Sequence, residues 1–132
     1  MRLISKKTDY AIKAICFIAE AKGRVVSVAE LIREFDMPRP FLRKILQILK
    51  KSGILKSYKG QDGGFTLAIP AREIFVANLI KIFHGPIKLS RCVFKERLCS
   101  DVKTCALKVR IDTIETRVAR ELQSINIESL LK

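Results

Sequence analysis

The chain has 132 residues and carries 26 lysines and arginines against 13 aspartates and glutamates, so its net charge at neutral pH is +13. This length suits one domain, or one domain with an oligomerisation element, and no apolar run is long enough for a helix that spans a membrane. Such a charge favours nucleic acid as the partner, because the release of counterions from phosphates drives basic proteins onto it.

The amino-terminal residues lack the features of a secretion signal. They reach Asp9 before any long apolar stretch, and no small-residue cleavage site follows. We therefore expect a cytoplasmic protein, in which clustered cysteines serve metal or redox chemistry rather than a disulfide framework.

Residues 8–22 are predicted to form the first helix, which ends at Gly23. Cys16 lies beside its apolar face, and a lone cysteine in that position is best explained as a small core residue. The apolar face consists of side chains that recur at helical spacing, namely Ala11, Ala14, Ile15, Ile18 and Ala19.

A second helix is predicted to start after Ser27 and to end near Asp36. Ser27 can cap it, and Glu30 can return the hydrogen bond as in a capping box. Only residues 37–39 separate this helix from the next one, which is cationic. Two helices joined by so short a turn match a helix-turn-helix.

The third helix opens at two prolines and stops at Ser52 and Gly53. Leu42, Ile45 and Leu49 form its apolar stripe, with Ile48 beside them. Cationic and polar side chains occupy another face, namely Arg43, Gln47 and Lys50.

The apolar pattern changes to a period of two after this helix. Alternation from Leu55 to Tyr58, the glycine-rich stretch 60–64, and alternation from Phe65 to Ile69 predict a β-hairpin with Lys59 at its tip. A helix followed by such a hairpin, in a basic chain, indicates a winged helix for DNA.

In this interpretation the third helix enters the major groove, where Arg43 can pair with guanine edges. Lys59 lies against phosphates or in the minor groove. The predicted DNA-binding residues are Arg39, Phe41, Arg43, Lys44, Gln47, Lys50, Tyr58, Lys59 and Gln61. The competing interpretation is a solvated helix face next to an ordinary hairpin turn.

Two further helices are predicted after Pro70. Residues 72–83 form the fourth, which Gly85 ends and whose inward side chains are Val76, Leu79, Ile80 and Phe83. A longer apolar stripe then runs through Leu107, Ile111, Ile114, Val118, Leu122 and Ile125. This stripe is predicted to meet its twin in a homodimer; the alternative is docking onto its own domain. Ile127, Leu130 and Leu131 can form a short turn that folds back.

Three cysteines in an otherwise irregular stretch, Cys92, Cys99 and Cys105, follow a C-x6-C-x5-C spacing. Cationic neighbours favour the thiolate that binds metal. The spacing is compatible with an iron-sulfur cluster, zinc, a thiol redox switch or no special role. We find no CxxC redox pair, catalytic triad or phosphate loop, so we predict no enzymatic activity.

The chain resembles the bacterial IscR/NsrR-type winged-helix transcription regulators over nearly its whole length. The resemblance is carried by Asp9-Tyr10-Ala11, by the stretch 50–55 after the helix-turn-helix, by the wing 59–65 and by the three cysteines. It implies a homodimer that reads palindromic double-stranded operators through long crossed carboxy-terminal helices. It also implies a 2Fe-2S or 4Fe-4S cluster held by Cys92, Cys99 and Cys105, whose gain, loss or damage changes promoter binding.

The chain departs from that pattern at three positions, namely Lys108, Arg43 and Asp62, and matches the NsrR branch at Asp9. The histidine that IscR-like members use as a fourth ligand is Lys108 here, which cannot bind metal while protonated. NsrR-like members use an acidic residue of the partner, and Asp9 of the partner subunit occupies that place; a carboxylate there also suits the helix dipole. Arg43 replaces an acidic residue of IscR, so the operator should differ. Asp62 replaces a wing glycine and opposes phosphate contact.

The sequence thus predicts a mainly α fold with a small β-hairpin, that is, a winged helix-turn-helix with a long carboxy-terminal dimerisation helix. The predicted units are a DNA-binding domain at 1–84, a cluster loop at 85–104, and the dimerisation helix and tail at 105–132. The predicted function is a repressor that senses iron-sulfur status, nitric oxide or redox state. Alternatives are zinc or no metal with control by a partner protein, an iron-sulfur electron carrier, and nonspecific RNA binding.

Overall fold

The computed structural model describes residues 4–85 and 106–131. The described chain is mainly helical with one antiparallel hairpin, as predicted. Its elements are α1 (Lys6–Glu20), α2 (Val28–Phe35), α3 (Arg39–Lys51), β1 (Leu55–Tyr58), β2 (Gly64–Leu67), α4 (Val76–His84) and α5 (Ala106–Gln123), with 3-10 turns at Ala71–Glu73 and Glu128–Leu130. No helix among the described residues is long and apolar enough to cross a membrane.

Side-chain caps fix the starts of the first two helices. The Thr8 amide donates to Ser5 Oγ at 3.2 Å, so α1 begins two residues before the predicted boundary. The predicted capping box of α2 is confirmed: the Glu30 amide donates to Ser27 Oγ at 3.1 Å, and the Ser27 amide donates to Glu30 Oε2 at 2.9 Å. Each bond satisfies a helix-end donor that has no partner within the helix.

One hydrophobic core joins α1, α2, α3 and the hairpin. The buried face of α1 is as predicted, with Ala11, Ala14, Ile15 and Ile18 enclosed. In α3 the predicted Leu42, Ile45 and Leu49 are buried, but Leu46 completes the set while Ile48 stays half-exposed. This core holds α3 in place from one side only.

The hairpin is anchored to the loop that precedes α2. Leu55 pairs with Leu67 and Tyr58 pairs with Gly64. Beyond this pairing, Val26 and Phe65 exchange two backbone hydrogen bonds, of 3.0 and 2.8 Å. A Cβ atom at Gly64 would lie 2.1 Å from the Val26 carbonyl oxygen, so only glycine allows this approach.

The carboxy-terminal tail pairs with the segment that leads into α4. The Val76 amide donates to the Ile125 oxygen at 2.9 Å, and the Ile127 amide donates to the Ile74 oxygen at 2.8 Å. Ile74 is therefore extended, and α4 begins at Val76 rather than at the predicted Arg72, which lies in a 3-10 turn. The tail folds back as predicted, and Ile127 is fully enclosed in the core.

Helix α5 leaves its apolar stripe partly uncovered within the described residues. None of its side chains is buried, and Leu107 and Ile114 are 69% and 46% exposed. The helix lies against α4. An 18-residue amphipathic helix in this state has an apolar face available for a further surface.

Candidate nucleic-acid interface

The turn between α2 and α3 sets the direction of the cationic helix. Asp36 ends α2 in the left-handed region at φ 51°, and Met37, which follows it, is buried. Pro38 then caps α3 and Pro40 lies in its first turn, where a missing amide hydrogen costs no helix bond. The predicted helix-turn-helix is thus present, and its turn is built from the left-handed Asp36, the buried Met37 and the two prolines.

The exposed face of α3 carries cations and no acid. At about 100° per residue, its exposed polar side chains cover roughly 140° of the helix surface, opposite the buried leucines. None of these cations forms an ion pair with another described residue. The face consists of Arg39, Arg43, Lys44, Gln47, Lys50 and Lys51.

Phe41 differs from the other residues predicted in this helix, because it is half-buried. Its ring packs edge-on against the Tyr10 ring of α1, with centroids 5.4 Å apart. The contact fixes the start of α3 against α1. The structure therefore places Phe41 between the core and the cationic face rather than on that face.

The tip of the hairpin projects a small set of polar side chains. The Gly63 amide donates to the Gly60 oxygen at 3.1 Å and closes a tight turn, with Gln61 and Asp62 as its central residues. Lys59 precedes this turn, and all three of these side chains are exposed. The hairpin is therefore a wing whose tip combines one cation, one amide and one carboxylate.

Sequence reasoning missed two cations at this surface, Lys51 and Lys56. Lys51 belongs to the exposed face of α3. The Lys56 ammonium lies 5.8 Å from the centroid of the Tyr58 ring on the outer face of β1. The period-two pattern of the sequence places Lys56 and Tyr58 on the same face of β1, so the signal for Lys56 was present in the sequence.

Of the predicted metal ligands, Asp9 lies among the described residues. Cys92, Cys99 and Cys105 lie outside the described residues. Asp9 is in the first turn of α1, where its carboxylate pairs with Lys13 Nζ at 2.9 Å, both side chains being about half exposed. In the described part of the chain, no group of three histidine, cysteine, aspartate or glutamate side chains is placed to hold a metal ion.

The fourth cysteine, Cys16, has the packing role predicted for it. It is half-buried against the core. Burial, and to a lesser extent the nearby Glu20 carboxylate, raise the pKa of its thiol. A raised pKa favours the protonated thiol, in keeping with a packing role for Cys16.

Known proteins are similar to this chain in both sequence and fold. A family model described as "Rrf2: Iron-dependent Transcriptional regulator" matches residues 4–132. A protein of Aquifex aeolicus described as an HTH-type transcriptional regulator is 28% identical over 98% of this chain and 91% of its own length. CymR, the global cysteine regulator of B. subtilis, has a TM-score of 0.79 at 24% identity, covering 98% of this chain and 96% of its own.

IscR of T. potens is also similar in fold, with a TM-score of 0.72 at 24% identity, covering 96% of this chain and 84% of its own. The fold of these two regulators is the winged helix described above. The family match extends over nearly the whole sequence, and the relatives are regulators rather than enzymes. The chain therefore belongs to the Rrf2 family, and it is a DNA-binding helix-turn-helix transcription regulator.

Proposed function

We propose that the chain works as a homodimeric repressor. In each copy residues 1–84 form a DNA-binding head, and the two heads read a palindromic operator. The affinity for the operator responds to an iron-sulfur cluster. In each head α3 lies in the major groove and the wing follows the adjacent minor groove. The observation that carries this proposal is the exposed face of α3, which has cations but no acid and no ion pair among the described residues.

The two cationic elements divide the work of binding. Arg43 lies within the exposed face of α3, and its guanidinium can donate two hydrogen bonds to the O6 and N7 atoms of guanine. Lys59 at the wing tip contributes a charge that attracts phosphates without reading sequence. Phe41 and Tyr10 hold the start of α3 and contribute by position.

The dimer is supported by the uncovered stripe of α5. Leu107 and Ile114 are 69% and 46% exposed, although they lie on the apolar side of the helix. A second copy of the same stripe would bury both faces around a two-fold axis, which matches the symmetry of a palindrome. We accordingly assign 1–84 to DNA binding, 85–104 to the cluster and 105–132 to dimerisation, with the end of the tail packed on the head.

The proposed cluster ligands are Cys92, Cys99 and Cys105, with Asp9 of the partner subunit as the fourth. Three thiolates and a carboxylate suit iron, and the cationic residues near the cysteines favour thiolates. An exposed ion pair such as Asp9 with Lys13 stabilises by less than about 1 kcal/mol, so this carboxylate is free to take another partner. When bound, the cluster would supply sensitivity to iron supply, nitric oxide or oxidants.

Binding to a selected operator and to random duplex tests the assignment of α3 and the wing. Operators are first selected from a random-sequence library, and affinities are then measured by anisotropy at several salt concentrations. We expect Arg43→Ala to lose about 1–3 kcal/mol on the operator and little on random duplex. Lys59→Ala should weaken both duplexes alike and reduce the slope of log K against log salt by about 1. Equal selectivity losses in the two variants would contradict this division.

The dimer is tested by a matched pair of substitutions in α5. Ile114→Arg places a charge on the stripe, whereas Thr116→Arg places it on the exposed opposite side of the same helix. Light scattering should show a monomer for the first variant and a dimer for the second. A dimer in both would exclude this seam.

Anaerobic purification tests the cluster. The protein should show a visible absorption band and bound iron, which Cys99→Ser should lose while Cys16→Ala retains it. Iron near zero in both oxidised and reduced preparations of the unmodified protein would exclude an iron-sulfur cluster and leave the DNA-binding proposal intact.

A further inference from the structure

We propose that Asp62 makes the wing select guanine-containing base pairs in the minor groove, with its carboxylate accepting a hydrogen bond from the guanine 2-amino group. This inference rests on the proposed placement of the wing in the minor groove. It assigns to the wing a sequence preference that a cationic contact to phosphates does not have.

The geometry of the wing tip presents Asp62 to whatever the wing approaches. Gln61 and Asp62 are the two central residues of the turn closed between Gly60 and Gly63, and they are the part of the hairpin farthest from its anchor at Val26. The Asp62 side chain is exposed. No described cation forms an ion pair with it, so its charge is not neutralised within the described part of the protein.

The chemistry of the minor groove leaves a carboxylate one base partner. Every base pair presents acceptors there, namely adenine or guanine N3 and thymine or cytosine O2, and only guanine adds a donor, its 2-amino group. An ionised aspartate accepts hydrogen bonds and cannot donate one. A·T-rich tracts also have a narrow groove with enhanced negative potential, which repels a carboxylate.

The other two tip residues do not share this preference. The Lys59 ammonium only donates, so it is compatible with the acceptors of every base pair. The Gln61 amide both donates and accepts, so it tolerates either kind of pair. Asp62 is therefore the discriminating group of the tip, and Lys59 offsets the cost of bringing a carboxylate into the groove, an arrangement in which a repulsive element supplies specificity.

Inosine substitution isolates the guanine 2-amino group. Replacing guanine by inosine removes that group and leaves the major-groove edge unchanged, so binding through α3 is unaffected. A selected operator is made with inosine at each guanine position in turn, and its affinity is measured for the unmodified protein, Asp62→Gly and Asp62→Asn. Glu73→Gln, which removes the same charge from the exposed 3-10 turn, is the matched control.

We expect the unmodified protein and Glu73→Gln to lose roughly tenfold in affinity at one guanine position per half-site. Asp62→Gly and Asp62→Asn should lose less than about twofold at that position and should bind A·T pairs there as well as G·C pairs. Thermal melting should show both variants folded, since glycine and asparagine are readily accommodated in turns.

Three results would overturn the proposal. One is an inosine effect of the same size with and without the Asp62 carboxylate. Another is the absence of any inosine effect in the unmodified protein, with the Asp62 variants binding all duplexes more tightly, which would mean that the carboxylate acts only through its charge. The third is an unchanged DNA affinity for both the Lys59→Ala and the Asp62 variants. In that case the wing does not touch the duplex, and the proposed placement of the wing fails together with the role of Asp62.

Discussion

The buried isoleucine of the tail provides a test of how the head is completed. Ile127 is 0% exposed, although it directly precedes the last 3-10 turn of the described chain, whereas Leu130 in that turn is 43% exposed. Truncating an enclosed isoleucine to alanine removes its burial free energy and leaves a cavity, at a cost of about 2–5 kcal/mol. Ile127→Ala should therefore lower the free energy of unfolding by that amount, and Leu130→Ala by less than about 1 kcal/mol.

The assay is urea unfolding at a fixed protein concentration, because the stability of the proposed dimer would depend on concentration. Tryptophan is absent from the sequence, so circular dichroism is the signal. In thermal melts we expect Ile127→Ala to lower Tm by roughly 6–20 °C. If Ile127→Ala costs no more than Leu130→Ala, the Ile127 side chain does not fill the core of the head.

Two other predictions concern the head. Gly64→Ala would place Cβ 2.1 Å from the Val26 oxygen, so we expect the wing to shift and DNA affinity to fall roughly tenfold, with a loss of stability of about 1–3 kcal/mol; unchanged anisotropy and melting curves would contradict the close approach. The Ser27 amide, and then Arg24, hold the pKa of Glu30 below its usual value of 4.5. The stability that this carboxylate contributes is therefore present above pH 4.5 and is lost as the pH falls through the lowered pKa. The free energy of unfolding in urea should therefore differ less between pH 7 and pH 3 for Glu30→Gln than for the unmodified protein. An equal difference in the two proteins would mean that the ionisation of Glu30 does not affect folding.

Local patterns were sufficient for most of the DNA-binding head. The capping box at Ser27, the stripe of α3 and the period-two alternation of the hairpin are signals within a few residues, and the structure has each of them. The start of α4 could not be read in this way. Ile74 and Phe75 are extended, and this segment pairs with a tail that is distant in sequence. No local window of the sequence contains that pairing.

The candidate site was predictable to a similar degree. The cations of α3 are exposed because the apolar stripe fixes the opposite side of the helix, and that stripe is visible in the sequence. The sequence placed one edge of this apolar stripe wrongly, because Leu46 rather than Ile48 is enclosed. The direction in which a helix packs depends on the elements around it. The contact of Phe41 with Tyr10 depends on tertiary packing that the sequence does not specify locally.

The bridge between Val26 and Phe65 ties the wing to the loop before α2, and both residues belong to the same hydrophobic core as the buried face of α3. If α3 and the wing both contact the duplex, as proposed, their two contact sites on the DNA keep a constant separation. An extra base pair between them shifts one footprint by about 3.4 Å and rotates it by roughly 35°, which such a head cannot follow. Operators for this regulator should therefore tolerate no insertion inside a half-site.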